Sequence, residues 1–243
     1  MAQTRCTACP LRNCEIFIPM RPEELAFMQT FKTGELSVGA GTTILMEGSK
    51  SPQLYTVLSG MGIRYKTLEN GRRQVINFLF PGDFTGLQSS FMGEMKHSVE
   101  TTTPMTLCAF RREDFWGLFR THPDRAYDLT WIAAVEEHFL GETIASLGQR
   151  DAIQRISWAF VRMHERLRAV GLLAGGKVPL PFRQQDLADA LGLSLVHTNK
   201  TLKVLHAKGL AQWSDGKLKI FDIGALAALA MIDIEKPERR PLM

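Results

Sequence analysis

A chain of 243 residues, 45% hydrophobic and 22% charged, has globular composition and length for one large domain or two ordinary ones. Its formal net charge of +4 permits a nucleic-acid partner without demanding one, and no stretch approaches the roughly 18 apolar residues a membrane span requires. The opening run MAQTRCTACPLRNC has no apolar h-region, so no secretory leader is expected and the expected location is the cytoplasm. Thiols there stay reduced and serve as metal ligands, redox groups or packing.

Residues 1–19 carry Cys6, Cys9 and Cys14, two prolines and few periodic apolar positions, and read as a loop. Arg21-Pro22-Glu23-Glu24 opens a short helix, with proline in the first turn, where its missing N–H costs little. Leu25, Phe27, Met28 and Phe31 form its apolar side. From Glu35 to about Phe110, short apolar runs alternate with turn signals such as Gly39-Ala40-Gly41, Ser59-Gly60 and Pro81-Gly82-Asp83. That spacing predicts an antiparallel barrel or jelly roll. Asn70-Gly71 suits a type I′ hairpin, and Val99 to Phe110 reads as one closing strand interrupted by Pro104.

A helical pattern starts at Pro123 and carries Leu129, Ile132, Val135, Phe139, Ile144 and Leu147 at intervals of mostly three and four. About 25 helical residues extend about 37 Å, too far for a small roll to cover entirely. The apolar stripe thus packs on its own domain or forms a seam between two copies. A second helix runs from Arg150 to Val170, with Ile153, Ile156, Ala159, Phe160 and Met163 on one side. Glu235 to Met243, charged and with two prolines, reads as a frayed tail.

The most informative segment is Phe182 to Leu205. Gln184 to Leu191 is a short helix with Leu187, Ala188 and Leu191 inward, stopped by Gly192. Leu193 reads as a buried hinge and Ser194 as the N-cap of a second helix that buries Thr198, Leu202 and Leu205. Leu195, Val196, His197, Asn199, Lys200 and Lys203 remain to face outward or sideways. This is helix-turn-helix grammar: the first helix braces and the second enters the major groove. Leu218-Lys219-Ile220 after Ser214-Asp215-Gly216 resembles a wing strand. Arg183 to Lys219 holds six Lys/Arg against three Asp/Glu, a local excess suited to phosphates.

Taken in order, several segments resemble the Crp/Fnr family of bacterial regulators. They are Gly39 to Gly48, Leu54 to Gly60, Phe80-Pro81-Gly82-Asp83-Phe84-Thr85-Gly86, Arg183 to Ala188 and Leu191-Gly192-Leu193-Ser194. The collinear match covers roughly residues 15 to 232. The resemblance implies an α+β architecture: an N-terminal cyclic-nucleotide-binding-type β-roll (a jelly roll), a long dimerisation helix and a C-terminal winged helix-turn-helix. The expected division is 1–19 cysteine segment, 20–122 roll, 123–148 dimerisation helix and 149–243 DNA-binding domain. A homodimer on a two-fold related double-stranded operator is implied, with RNA polymerase as a further partner and no membrane. The expected DNA-contacting set is Arg183, Gln184, Ser194, Val196, His197, Asn199, Lys200 and Lys203. The dimer set is Leu129, Ile132, Val135, Phe139, Ile144 and Leu147. Where relatives read the half-site with glutamate and arginine, this chain has Val196 and Lys200, so a different half-site is expected.

Cyclic AMP is not expected: the arginine relatives use for the phosphate is absent, and Lys96 and His97 stand near its place. Lysine lacks the guanidinium fork. Cys6, Cys9, Cys14 and Cys108 resemble the Fnr branch's ligands for an oxygen-sensing [4Fe–4S] cluster, a group usually held by four thiolates. The Cys9–Cys14 gap of four residues is one shorter than that branch's pattern, which bears on Cys14. A redox pair at Cys6 and Cys9, a zinc site, or a metal-free regulator with a small molecule among Phe78, Phe80, Phe84 and Phe91 remain alternatives. An enzyme is not expected, since a metal cupin needs clustered histidines and only His97 lies in the roll.

Overall fold

The computed structural model describes residues 3–234 and 237–243. Glu235 and Lys236, at the start of the expected tail, and the first two residues of the cysteine segment lie outside the described residues. Two compact units emerge. One comprises Met1–Lys66, Ile76–Glu137 and Arg239–Met243, the other Thr67–Val75 and His138–Glu238. The division falls inside the long helix, and the last five residues join the first unit; both differ from the partition expected above.

In the first unit, α1 (Pro22–Phe31) leads into β1 (Lys32–Val38), β2 (Thr43–Leu45), β3 (Gln53–Ser59), β4 (Gly62–Thr67), β5 (Arg73–Leu79) and β6 (Phe84–Thr85). Then follow α2 (Leu87–Met92), β7 (Ser98–Thr101), β8 (Met105–Arg111), α3 (Phe115–Thr121) and α4 (Pro123–Gln149), which runs on into the second unit. The strands form two four-stranded sheets, β1-β8-β3-β6 and β2-β7-β4-β5. Leu45, Leu79 and Val99 from one sheet and Val57, Met105 and Leu107 from the other share one buried cluster. This is the expected roll.

Val99 to Phe110 is not one strand. β7 pairs with β2 and β4, whereas β8 pairs with β1 and β3 in the other sheet. Pro104, with no N–H for a ladder, marks the crossing. Gly60 makes that crossing possible: at φ 90° a Cβ there would meet Pro104 O at 2.4 Å. The helices α2 and α3, of 6 and 7 residues, are too short to show a helical period in the sequence. The segment read as a loop contains two 3₁₀ turns, Cys6–Ala8 and Pro10–Asn13.

A second cluster joins Met28 and Phe31 of α1 to Leu54, Phe84, Phe110, Phe115, Leu118, Leu129 and Met243. Two corrections follow. Leu129, expected on the dimer seam, is 2% exposed and fills the roll's own core. Residues 239–243 are not frayed: Leu242 and Met243 are buried, and Arg240 bridges to Phe17 in parallel register.

In the second unit, α5 (Ala152–Ala169) starts at Asp151, which with Gln154 forms a capping box. Ile156, Phe160, Met163 and Leu167 lie buried along it. Then follow β9 (Lys177–Pro179), α6 (Gln184–Leu191), α7 (Leu195–Ala207), β10 (Ala211–Ser214), β11 (Lys217–Ile220) and α8 (Ile223–Ala230). The sheet order is β10-β11-β9. Asp215 and Gly216, both at positive φ (52° and 66°), give the I′ geometry that closes a two-residue hairpin. No helix among the described residues is long and apolar enough to cross a membrane.

Candidate nucleic-acid interface and cysteine site

Gly192, at φ 62°, ends α6, its N–H bonding Ala188 O. Ser194 then caps α7 by accepting from His197 N at 3.2 Å. Thr198, Thr201 and Leu205 face inward, at 0, 5 and 0% exposure. Thr201 replaces Leu202 as the buried member of that face, because its hydroxyl donates back to His197 O and lets the residue sit inside. Leu202 and the hinge residue Leu193 are half-buried.

Ser194, Val196, His197, Lys200 and Lys203 are exposed on one helical segment, with Asn199 half-buried beside them. Val196 is 79% exposed, a large apolar contact left open at the leading turn, where a thymine methyl is the natural complement. Arg183 is engaged locally: its guanidinium pairs with the buried Asp186 at 2.6 Å, and its backbone N–H donates to the same carboxylate at 3.0 Å, capping α6. Gln184 is half-buried. The wing adds exposed Lys217, while Lys219 lies 4.9 Å over the Phe221 ring.

Along α4, Val135 and Ile144 are 43 and 71% exposed, as is Tyr127 at 70%. Ile132, Phe139 and Leu147 are half-buried, and Phe139 stacks on Trp158 at 6.1 Å.

The cysteines converge in part. Cys6, Cys9 and Cys108 line one cavity of about 30 Å³ together with Lys32, Leu242 and Met243. Burial pushes the Cys108 thiol up to about 11, with Lys32 opposing and Cys9, Glu35 and Cys6 adding to the rise. Burial likewise raises Cys6 and Cys14. Lys32 Nζ donates to Glu35 at 2.7 Å and to Thr4 O at 2.6 Å, which places a buried cation beside the thiols. Cys14 is off the cavity wall. Among the described residues no three Cys, His, Asp or Glu side chains are grouped as metal ligands. Lys32, Leu242 and Met243 were not singled out from the sequence. A lone lysine after a helix carries no signal, and an apolar pair behind Pro241 is a weak one.

Where the sequence resemblance looks for a phosphate-binding arginine, Lys96 Nζ lies 2.6 Å from Glu94 and His97 is buried. Its imidazole is held down to about 4, chiefly by burial and next by Arg64. Arg64 itself pairs with Glu136 of α4 at 3.0 Å, and Asn77 donates to the same carboxylate at 2.9 Å. Of the expected roll lining, Phe78, Phe80 and Phe84 are buried and Phe91 is 56% exposed.

A sandwich-type roll, a long helix and a capped helix pair with a basic wing define a DNA-binding regulator. The comparisons agree: residues 35–122 match the cyclic nucleotide-binding domain family and residues 154–229 the Crp-like helix-turn-helix domain family. The chain is 28% identical over 225 residues to the nitrogen fixation regulation protein FixK of Bradyrhizobium diazoefficiens, covering 93% of each. It is 28% identical over 209 residues to the transcriptional activator protein FnrL of Cereibacter sphaeroides, covering 85% of this chain and 83% of that one. The structure of FixK2 from Bradyrhizobium japonicum superposes with a TM-score of 0.74 at 25% identity, covering 83% of this chain and 98% of that one. The chain belongs to the Crp/Fnr family of transcription regulators.

Proposed function

We propose that the chain binds a two-fold related operator as a homodimer, inserts α7 into the major groove, and responds to redox state through its four cysteines. The DNA part is supported by the exposed run Val196, His197, Lys200 and Lys203 on a helix whose opposite face is buried. Val135, Ile144 and Tyr127 on α4 supply uncovered apolar surface for a second copy. FnrL's name as an activator supports RNA polymerase as a further partner.

The observation that carries the redox reading is the meeting of Cys6 and Cys9 with Cys108 on one cavity wall, from opposite ends of the roll's sequence. The donor chemistry fits a thiolate-held [4Fe–4S] cluster, whose four-cysteine complement these residues match in number. The present seating does not: the cavity measures only about 30 Å³ within its walls, and Cys14 is off its wall. Cys6, Cys9, Cys14 and Cys108 would hold such a group only if residues 3–19 re-seated, and as thiolates. When bound, the cluster would supply oxygen-sensitive iron–sulfur bonds. The protein's share is a population shift between two seatings of the N-terminal segment against α1 and β8.

A cyclic nucleotide fits less well, because Lys96 and Arg64 are each engaged by a carboxylate. Protein made and purified without oxygen is expected to be coloured and to contain iron. Colourless, iron-free protein under those conditions would rule the cluster out.

A further inference from the structure

The cysteine segment shares its seat with the far end of the sequence. Ile18 N donates to Arg240 O at 2.9 Å and Arg240 N donates to Ile16 O at 2.8 Å. The Arg240 guanidinium pairs with Asp83 at 3.0 Å, a side chain 3% exposed, and lies 5.1 Å from the Phe17 ring centre. Beyond it, Arg125 donates to Leu242 O at 3.3 Å and Thr56 Oγ1 to Met243 O at 2.5 Å. Leu242 and Met243, 5 and 4% exposed, form part of the wall beside Cys6, Cys9 and Cys108.

We propose that Arg240–Met243 is a strap that forms one wall of the cysteine site, and that the docked strap and a bulky group attached to Cys108 exclude one another. The space argument is direct. The cavity measures about 30 Å³ within its walls and opens to solvent on one side, so it is inward, at the largely buried Cys108 sulfur, that a group larger than about one water crowds the strap. Leu242 and Met243, the strap's last two side chains, line that cavity beside Cys108. Exclusion is reciprocal, because what favours an empty site favours the docked strap by the same factor.

The strap follows the winged domain in sequence. Nine residues, 231–239, separate it from the end of α8. The proposal holds for a disulfide partner or an alkyl group alike.

The test uses the full chain and an alkylating reagent, iodoacetamide, with site-resolved mass spectrometry. Arg240→Glu together with Met243→Glu is expected to raise labelling of Cys108 about tenfold or more, since labelling of a closed site follows its open population. Arg240→Lys, which keeps the charge, is expected to stay near wild type. Equal Cys108 labelling in wild type and the double variant would overturn the strap.

A second measurement covers a double variant that fails to fold. In wild type, full labelling with a small methanethiosulfonate is expected to speed hydrogen exchange at the Ile18 and Arg240 amides about tenfold, by the same reciprocity. Unchanged exchange there would overturn the proposal too. Failure of the cluster reading shows separately, as iron-free anaerobic protein in wild type and variant.

Discussion

Asp83 and Arg240 stand 157 positions apart in the sequence and 3.0 Å apart in the structure. The other Asp83 oxygen accepts from Phe80 N at 2.8 Å, which fixes the Pro81-Gly82-Asp83 turn. Gly82, at φ 87°, leaves space for the Phe17 ring, which a Cβ would meet at 2.2 Å. One turn of the roll thus holds both the cysteine segment and the strap. Arg240→Ala takes a charged partner from a buried carboxylate and is expected to cost about 1–3 kcal/mol, read from urea unfolding midpoints. A midpoint equal to wild type would show the pair contributes nothing.

Burial sets the pH response of the roll. His97 is neutral in the fold at about 4 against an ordinary 6.5, with Arg64 and Lys66 reinforcing burial and Glu136 and Glu47 opposing it. The unfolded chain binds the proton first as pH falls. The stabilisation is complete above 6.5 and is lost as pH drops from there through about 4, by roughly 3 kcal/mol at most. Unfolding free energy is expected to fall across that window in wild type and less in His97→Gln. Parallel curves would remove His97 from the account.

Two leucine-like positions on α4 separate core from seam. Leu129→Ala is expected to cost about 2–5 kcal/mol of stability, as a buried truncation. Ile144, 71% exposed, is expected to tolerate Ile144→Glu in the folded chain while dimer dissociation strengthens. Sedimentation at matched concentrations distinguishes them. A dimer unaffected by Ile144→Glu would place the seam elsewhere.

The wing makes a salt prediction. If Lys217 meets phosphate, Lys217→Ala lowers affinity about equally for all duplexes and reduces the log–log salt slope by about one. A loss confined to one sequence would mean it reads a base.

The sequence shows most where local chemistry decides structure. Asp151, Gly192 and Ser194 mark helix ends by caps that need no distant partner, and Asp215-Gly216 closes its hairpin alone. The roll was legible from its turns. The tail was not: Glu235 to Pro241 has the composition of solvated chain, and only docking against Phe17, Asp83 and Thr56 orders its end. Leu129 misled for a related reason, since a periodic stripe does not say which neighbour covers it. Arg183, expected at DNA, keeps an exposed side chain while its guanidinium pairs with Asp186, three residues on. The site's electrostatics, with Lys32 beside Cys108, depend on β1 and β8 pairing, which no local pattern announces.

The central claim is that α7 reads base edges in a duplex. Selection of bound duplexes from random DNA, with and without oxygen, tests it most directly. The account predicts a two-fold related preferred site, bound at least about a thousandfold more tightly than random duplex. It also predicts that Asn199→Ala or Lys200→Ala weakens that preference by about 1–3 kcal/mol. A purified dimer that recovers no preferred sequence in either redox state would contradict it.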